Sequence, residues 1–398
     1  MIYLDGHSTT PLSPEVFEAM RPYFLERFGN PSQGLHRYNW EARAGVDRAR
    51  EQLAGVLGVK DREIVFTSGA TEANHLALLG SLPFLISSGK KRVLSIRIEH
   101  ASVLGALELM EERGCRVDWI RTDSAGRIDF DHFQSLLGDD VGLVSVALAN
   151  HEIGTVQDLK RISALAREHG ARIHTDAVQA LGKIRFTADS IGADLITLSG
   201  HKVRGPKGVG ALYVRRKNPR IELEPLYLGG GQERGLRPGT PDTPAIVGFG
   251  TAAETALKTI DRDVEFIRGL RDRLWGRLNE SLDGWIRNSP VDGLPNNLNL
   301  SIGGVDGAAL FGRLKQVAVS NASACLNGIQ DYSQVLTELG VERDLARATL
   351  RVGIGTWNTE AEIDAAAEEI VGVVRDLRTM ERRFAEQTGS FSMNGDEA

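Results

Sequence analysis

The chain has 398 residues, of which 41% are apolar and 25% are charged, and its formal net charge is −6. These values are typical of a globular protein large enough for two hydrophobic cores. The negative net charge argues against a protein that binds nucleic acid by bulk electrostatics. No apolar run approaches the roughly 20 residues that span a bilayer. We therefore expect neither a nucleic-acid partner nor a membrane segment.

The N-terminus and the cysteines bear on the compartment. Residues 1–5 have neither the basic region nor the cleavage site of a secretory signal. The two cysteines, Cys115 and Cys325, are too few for a disulfide framework and fit a reducing compartment. We therefore expect a cytoplasmic protein.

The first elements are predicted from their caps and periodicity. After an extended arm at residues 3–11, Ser13 as N-cap, Pro14 and the acidic Glu15 predict the start of a helix. A long amphipathic pattern predicts a second helix from about Trp40 to Leu57.

From residue 63 onward, short apolar runs alternate with helical stretches, and each run ends in polar residues. This alternation predicts an α/β fold with a mainly parallel sheet covered by helices, whose ligand lies beyond the carboxyl ends of the strands. The predicted strands cover residues 63–67, 92–96, 143–148, 171–175, 194–198 and 211–214.

Lys202 occupies a position that is unusual for a lysine. Most lysines are solvated surface cations, but Lys202 directly follows a buried strand and precedes a turn-rich loop at residues 203–210. A desolvated lysine near other cations becomes a nucleophilic amine that can form a Schiff base.

Other polar residues at the strand ends predict a site for pyridoxal 5′-phosphate. This cofactor needs a lysine, a carboxylate for the ring nitrogen, a stacking group and a phosphate cup. Asp176, His100 and Gln179 are candidates for the carboxylate, the stacking group and a contact to the ring hydroxyl. Taken singly, Asp176 is also typical of a helix N-cap, and His100 of a hydrogen-bonded histidine at a helix start. The candidates for the cup are Ala70, Thr71, Ser199 and His201.

The rest of the chain predicts a glycine-rich loop and a second domain. The loop at residues 228–240 has no periodicity and is long enough to suggest function. A helical region from about Thr243 to Leu282 leads to strands at 297–302 and 348–354, with helices near 307–316 and 359–384. We expect a large domain at 13–255, a small domain at 1–12 and 256–386, and a disordered tail at 387–398.

Arg351 and Cys325 are the functional candidates of the second domain. Arg351 lies inside an apolar strand pattern and requires an anion, either a substrate carboxylate or a structural ion-pair partner. Cys325 lies among small polar residues and glycine, which favours a reactive thiol on a mobile loop over a buried hydrophobe. Cys115, at a strand entrance, is interpreted as buried.

Motifs along nearly the whole length resemble those of cysteine desulfurases of the NifS/IscS type, within the class V aminotransferase family of fold-type I pyridoxal enzymes. The resemblance implies a large domain with a sheet of the seven-stranded type and a smaller α+β domain. The motifs are Phe-Gly-Asn-Pro at 28–31, Phe-Thr-Ser-Gly-Ala-Thr-Glu at 66–72, Glu-His at 99–100, Glu-Ile-Gly at 152–154, Asp-Ala at 176–177, Ser-Gly-His-Lys at 199–202, Gly-Pro-Lys-Gly at 205–208, 235–240, and Ser-Ala-Cys at 323–325.

The resemblance also implies a role for each matching residue. Lys202 carries the cofactor as a Schiff base, His100 stacks on the ring and transfers protons, and Cys325 carries a persulfide. Thr240 contacts the phosphate of the other subunit, which implies a homodimer. The ring contacts are Asp176, Gln179 and His151, the phosphate contacts Ala70, Thr71, Ser199 and His201, and the substrate contacts Asn150 and Arg351.

Three departures from the family pattern stand out. His151 replaces the second asparagine of the usual Asn-Asn-Glu, Asn321-Ala322 replaces Ser-Gly before the cysteine motif, and residues 6–8 differ from the common start. An imidazole at position 151 could still donate a hydrogen bond to the ring hydroxyl.

The function implied is conversion of L-cysteine to L-alanine, with the sulfur carried on Cys325 to an acceptor protein. The acceptor is left open between an iron–sulfur scaffold, a tRNA thiolation enzyme and DNA phosphorothioation machinery. Two alternatives also remain: a selenocysteine lyase or aminotransferase of the same fold, and a non-enzymatic sulfur-assembly scaffold. No metal site is predicted.

Overall fold

The computed structural model describes residues 1–217, 219–321 and 333–391, without the side chains of 385–391. The strands are β1 (Ile2–Tyr3), β2 (Ile64–Thr67), β3 (Arg92–Ser95), β4 (Arg116–Trp119), β5 (Val141–Ser145), β6 (Arg172–Asp176), β7 (Leu195–Ser199), β8 (Gly210–Val214), β9 (Trp285–Arg287), β10 (Asn297–Ile302), β11 (Val317–Ala318) and β12 (Thr349–Gly353).

The α-helices include two long ones, near the middle and at the end of the chain. They are α1 (Pro14–Met20), α2 (Pro22–Leu25), α3 (Arg37–Leu57), α4 (Ala70–Leu79), α5 (Leu82–Ser87), α6 (Ala101–Glu112), α7 (Phe130–Leu136), α8 (Leu159–Glu168), α9 (Ala188–Ile191), α10 (Thr243–Ser281), α11 (Gly307–Arg313), α12 (Gln334–Glu338), α13 (Arg343–Arg347) and α14 (Glu360–Phe391). Short 3₁₀ helices cover Asp61–Glu63, Gly200–Lys202 and Gln232–Gly235.

The chain divides into two compact units. The larger unit contains Thr9–His151 and Thr155–Arg262, and the smaller contains Met1–Ser8, Glu152–Gly154 and the chain from Asp263 onward.

The larger unit is built on a seven-stranded sheet in the order β2-β8-β7-β6-β5-β3-β4. Neighbouring strands from β4 to β7 run parallel, whereas β8 is antiparallel to both β7 and β2. Residues of β2, β5, β6, β7 and β8 are buried throughout, as expected for apolar strands covered on both faces. The predicted α/β fold with a mainly parallel sheet is confirmed.

The reversal of β8 follows from its short connection. Only the segment between Ser199 and Gly210 separates it from β7, and a parallel neighbour would need a crossover of a dozen or more residues. At Gly210 a Cβ would lie 2.6 Å from the carbonyl carbon of Gly69 and 2.8 Å from the carbonyl oxygen of Leu198. The missing side chain therefore lets the turn before α4 pack directly against β8.

Helix starts in the larger unit follow their caps. Pro14 begins α1 after Ser13, as predicted, and the carboxylate of Asp158 accepts the backbone N–H of Arg161 at the start of α8 (3.1 Å). α3 begins at Arg37, slightly earlier than its apolar pattern predicts, and ends at Gly58 in the left-handed conformation (φ 68°).

The smaller unit has a three-stranded antiparallel sheet, β12-β10-β9, and a parallel pair, β1 and β11. The strands predicted near 297–302 and 348–354 correspond to β10 and β12. Apolar residues of both strands form a core with one face of α14 and the last part of α10. Its fully buried members include Leu274, Leu278, Leu298, Leu300, Leu350, Val352, Ile370 and Val374.

Two features differ from the sequence interpretation or extend it. α14 continues to Phe391, into the stretch at 387–398 where composition predicts disorder, because extending an existing helix adds one hydrogen bond per residue fixed. Residues 392–398 lie outside the described part. The short strands β1, β9 and β11 carry too little pattern to be predicted. Among the described residues, no helix is long and apolar enough to cross a membrane.

Candidate active site

Asp176 lies at the carboxyl end of β6, where the sequence predicts the partner of the ring nitrogen. Only 9% of the residue is exposed. Its Oδ2 accepts a hydrogen bond from Asn74 Nδ2 (2.8 Å), and its Oδ1 accepts one from the backbone N–H of Val178 (2.9 Å). Both donors are neutral. Because a buried carboxylate gains most from a cationic partner, Asp176 is suited to a protonated pyridine ring.

His100 is the N-cap of α6. Its Nδ1 accepts the backbone N–H of Ser102 (3.1 Å) and lies 2.8 Å from Ser102 Oγ. The interpretation as a hydrogen-bonded histidine at a helix start is therefore confirmed. A hydrogen bond to Nδ1 lies in the plane of the ring, so this contact does not itself prevent stacking. The ring of His151 lies edge-on to His100, with centroids 5.2 Å apart and planes inclined by 76°.

The segments that follow β3 and β5 are connected by hydrogen bonds next to His100. Asn150 Nδ2 donates to the carbonyl oxygen of Ile98 (2.9 Å), and Glu99 Oε1 accepts the backbone N–H of Ala147 (2.7 Å). Burial, together with the charge of Asp176, raises the pKa of Glu99 to about 8. The sequence interpretation gave Glu99 no role, although a carboxylate just after an apolar strand is a signal that could have found it.

Lys202 ends the 3₁₀ helix that follows β7 and is partly buried. Its carbonyl oxygen accepts a hydrogen bond from Lys183 Nζ (2.9 Å). Burial lowers the pKa of Lys183 to about 8, and the charge of Lys202 contributes. A second amine close to Lys202 was not predicted, although its position in the apolar run of residues 180–184 is a detectable signal.

His201 is held by the N-terminal arm of the larger unit. Its Nδ1 lies 3.2 Å from Thr9 Oγ1, and its carbonyl oxygen accepts from the Thr10 N–H (3.0 Å) and hydroxyl (2.8 Å). Burial, together with the charges of Lys202 and Lys207, lowers the pKa of His201 to about 4. At neutral pH the ring is therefore uncharged and can donate one hydrogen bond to an anion.

The predicted phosphate cup lies at the N-terminus of α4. The helix starts at Ala70 after Gly69, so its first backbone N–H groups are available to an anion. Glu72 stabilises this turn, because its Oε2 accepts the backbone N–H of Ser68 (2.7 Å). Of the other predicted contacts, Ser199 is buried at the end of β7, whereas Thr71 and Thr240 are exposed. Gln179, in the turn after Asp176, is buried.

The glycine-rich loop is anchored to the same turn. Glu72 Oε1 accepts hydrogen bonds from Tyr227 Oη (2.5 Å) and Arg237 Nε (3.1 Å). Further along the loop, the carboxylate of Glu233 pairs with both terminal nitrogens of Arg50 (2.7 and 2.8 Å). The loop that leads to Thr240 is therefore held by two ion pairs that sequence reasoning did not predict.

Arg351 belongs to the smaller unit, and only 2% of it is exposed. Its Nη2 donates to Ser8 Oγ (2.8 Å) and Ser320 Oγ (2.9 Å) and lies 3.7 Å from Asp5 Oδ1. These contacts show the structural ion pair that the sequence left as an alternative. The role of Arg351 in binding a substrate carboxylate stays a prediction.

Burial also raises the pKa values of one carboxyl group, that of Glu152, and of one thiol, that of Cys115. Burial raises the pKa of Glu152 to about 7, against the opposing effects of the Ser333 hydroxyl bonded to it and the charge of Arg351. Cys115 is buried and its pKa is raised, chiefly by burial, as predicted for a thiol packed among apolar residues. Cys325 and Ala322 lie outside the described residues, so their predicted roles are untested.

The residues of the larger unit fit pyridoxal 5′-phosphate. At one sheet edge they supply a lysine next to a second amine, a buried carboxylate with neutral donors, a histidine ring and a helix N-terminus. This is the donor set that the cofactor's aldehyde, ring nitrogen, ring face and phosphate require.

Comparisons with known proteins show the family to which the chain belongs. The aminotransferase class-V family model matches residues 2–366. The mitochondrial cysteine desulfurase of Arabidopsis thaliana is 44% identical over 380 residues, covering 95% of this chain and 83% of that protein. Cysteine desulfurase IscS of Rickettsia bellii is 41% identical, covering 95% and 92%.

The fold has close counterparts among solved structures. A NifS-like protein superimposes with a TM-score of 0.87 at 32% identity, over 94% of this chain and 100% of that chain. The sequence match, the shared fold and the donor set lead to one conclusion. The chain belongs to the class-V aminotransferase family and is related over nearly its whole length to the pyridoxal 5′-phosphate-dependent cysteine desulfurases.

Proposed function

We propose that this protein removes sulfur from L-cysteine, releases L-alanine and carries the sulfur as a persulfide on Cys325. The observation that carries the proposal is the buried carboxylate of Asp176, held by neutral donors at the end of β6, with Lys202 at the end of the neighbouring strand. Bound pyridoxal 5′-phosphate supplies an aldehyde for the amine and a protonated ring that withdraws electrons from the substrate α-carbon.

The residues of the larger unit have distinct tasks in this reaction. Asp176 would hold the ring nitrogen of the cofactor, and Lys202 Nζ would bind its aldehyde and move the proton of the substrate α-carbon. His100 would cover the cofactor ring and transfer a proton through Nε2, since its Nδ1 accepts a hydrogen bond from Ser102. Lys183 places a second amine near Lys202, and burial together with the charge of Lys202 lowers the pKa of Lys183.

The phosphate is assigned to groups from two segments, the start of α4 and the end of β7 with the 3₁₀ helix that follows it. The N-terminal N–H groups at Ala70 and Thr71 and the side chains of Ser199 and His201 form the cup. The neutral His201 ring donates one hydrogen bond. Gln179 and His151 are assigned to the ring hydroxyl.

The sulfur step needs no external oxidant. The thiolate of Cys325 attacks the substrate sulfur, the bond between that sulfur and the substrate β-carbon breaks, and the β-carbon takes the electron pair and then a proton. The products are L-alanine and an enzyme persulfide, so atoms and electrons balance. Arg351 and Asn150 are assigned to the substrate carboxylate.

We propose a homodimer in which Thr240 reaches the phosphate of the partner subunit. Thr240 is exposed on its loop, and large apolar side chains are exposed on the same unit, which is typical of a surface that another protein covers. They include Phe24, Leu25, Leu35, Trp40 and Leu228. A single species of one-chain mass in light scattering would contradict the dimer.

The acceptor is proposed to be an iron–sulfur scaffold or a thiolation enzyme in the cytoplasm. The relatedness to a protein named IscS supports a sulfur-donor role. Capture of persulfide-accepting proteins on the loaded enzyme would identify which acceptor is used.

The decisive experiment compares two variants in one assay of sulfide and alanine. Cys325→Ser should keep the cofactor absorbance but lose sulfur transfer, whereas Lys202→Ala should lose the absorbance of the attached cofactor. Cys115→Ser, which alters the buried thiol, is the matched control and should retain activity. Undiminished sulfide and alanine from Cys325→Ser would refute its role, and keto-acid products would indicate an aminotransferase.

A further inference from the structure

A continuous chain of hydrogen bonds connects Asp176 to His100 inside the larger unit. Asn74 Nδ2 donates to Asp176 Oδ2 (2.8 Å) and to Ser102 Oγ (2.9 Å), and Ser102 Oγ lies 2.8 Å from His100 Nδ1. Asn74 is fully buried and Ser102 is 7% exposed. The two connecting side chains come from α4 and α6, far apart in the sequence.

At Asp176, the chemistry of the two groups determines which one donates the hydrogen bond. A carboxylate can only accept, so Asn74 must present its amide nitrogen to Asp176. Both amide hydrogens are then used, one toward Asp176 and one toward Ser102. The opposite amide orientation would place the Asn74 carbonyl oxygen against the carboxylate. In the orientation that Asp176 requires, Asn74 Oδ1 is buried without a hydrogen-bond partner among the described residues.

The direction of the hydrogen bond between Ser102 and His100 follows in the same way. Ser102 Oγ accepts from Asn74, so its own hydrogen is directed to His100 Nδ1. The backbone N–H of Ser102 also points at Nδ1 (3.1 Å). A ring nitrogen that receives donors must present its lone pair, which leaves the single hydrogen of the neutral ring on Nε2.

We propose that Asn74 and Ser102 are positioning residues. They connect Asp176 to His100 by hydrogen bonds, and through these bonds they orient the His100 ring and keep its hydrogen on Nε2. The proposal deepens the proposed function, on which it rests for the role of His100. It couples the carboxylate assigned to the ring nitrogen with the histidine assigned to the ring face. The two groups are thereby held in one rigid arrangement before the cofactor binds.

A second serine–histidine pair, which lies in the sheet of the larger unit, offers a matched control. Ser145 Oγ lies 2.8 Å from His174 Nδ1, and His174 Nε2 lies 3.2 Å from Thr197 Oγ1. All three residues are buried. Ser145→Ala therefore removes the same kind of contact without touching the chain from Asp176 to His100.

The first readout is independent of activity. Nitrogen-15 NMR of the histidine-labelled protein without cofactor reports which ring nitrogen carries hydrogen, and His100→Gln assigns the His100 signals. We expect hydrogen on Nε2 in the wild type. Ser102→Ala and Asn74→Leu should each increase the population of the Nδ1–H form about fivefold, the equivalent of one net hydrogen bond. Ser102→Thr, which keeps the hydroxyl, should restore the wild-type spectrum.

The second readout is the reaction of the loaded enzyme. Either single variant should lower kcat about fivefold and leave KM for cysteine unchanged. The double variant should be no slower than either single one, because each alone interrupts the chain; independent effects would multiply to about 25-fold. Ser145→Ala should leave kcat and the His100 signals unchanged.

The possible outcomes separate this inference from the proposed function. Unchanged His100 signals in Ser102→Ala, or multiplicative losses in the double variant, would overturn the positioning role. Should Asn74→Leu fail to fold, the comparison of Ser102→Ala with Ser102→Thr decides alone. A shifted tautomer in a protein without desulfurase activity would support the hydrogen-bond chain and refute the proposed function.

Discussion

Replacement of Glu99 by glutamine tests the electrostatics beside Asp176. Glu99 is 3% exposed, and its Oε1 accepts the N–H of Ala147 while Oε2 has no hydrogen-bond partner among the described residues. Glutamine has the shape of the protonated acid and keeps the accepting oxygen. The substitution therefore removes the ability to ionise and leaves the packing intact.

The expected effect depends on pH. Burial raises the pKa of Glu99 from 4.5 to about 8. An acid whose pKa is raised by folding does not lower the free energy of unfolding below pH 4.5, where it is protonated in both the folded and the unfolded protein. It lowers the free energy of unfolding increasingly as pH rises toward 8. At about 1.4 kcal/mol per pKa unit, the cost is about 3 kcal/mol at pH 7 and about 5 kcal/mol above pH 8.5.

Urea unfolding of wild type and Glu99→Gln between pH 4.5 and 8.5 measures this difference. The free energies of unfolding should agree at the acidic end and diverge in favour of the variant as pH rises. Glu108→Gln, on the exposed side of α6, is the control and should follow the wild type. Parallel profiles for wild type and Glu99→Gln would show that Glu99 is not protonated in the folded protein and refute the reasoning.

Three further substitutions test the rest of the site. Gly210→Ala places a Cβ 2.6 Å from the backbone of Gly69 and should cost about 1–3 kcal/mol in urea unfolding; unchanged stability would contradict the close approach. Lys183→Met should lose its stability advantage over the wild type as pH rises from 8 to 10.5, because the wild-type amine has its pKa lowered to about 8; a constant difference would argue against that burial. Arg351→Lys removes the planar fork and should raise KM for cysteine about tenfold with a smaller change in kcat, whereas unchanged kinetics would leave Arg351 with only its ion pair.

Local sequence patterns were sufficient to predict most of the elements and the strand ends. Buried strands read as continuous apolar runs, helices as capped amphipathic stretches, and the polar residues where each run stops, such as Asp176 and Lys202, marked the edge of the sheet. These are local properties, because periodicity reports which residues of a segment are buried. Family motifs then supplied the roles expected of those residues.

The contacts between side chains that are distant in sequence depend on the three-dimensional fold. Asn74 reaches Asp176 across 102 positions, Lys183 donates to the carbonyl of Lys202, and Arg351 finds its partners near the N-terminus. Periodicity does not encode the partner of a buried polar group, since many pairings satisfy the same pattern. The order of the strands and the antiparallel course of β8 allow one of these pairings. This arrangement brings the hydrogen-bond donors close to Asp176 and His100.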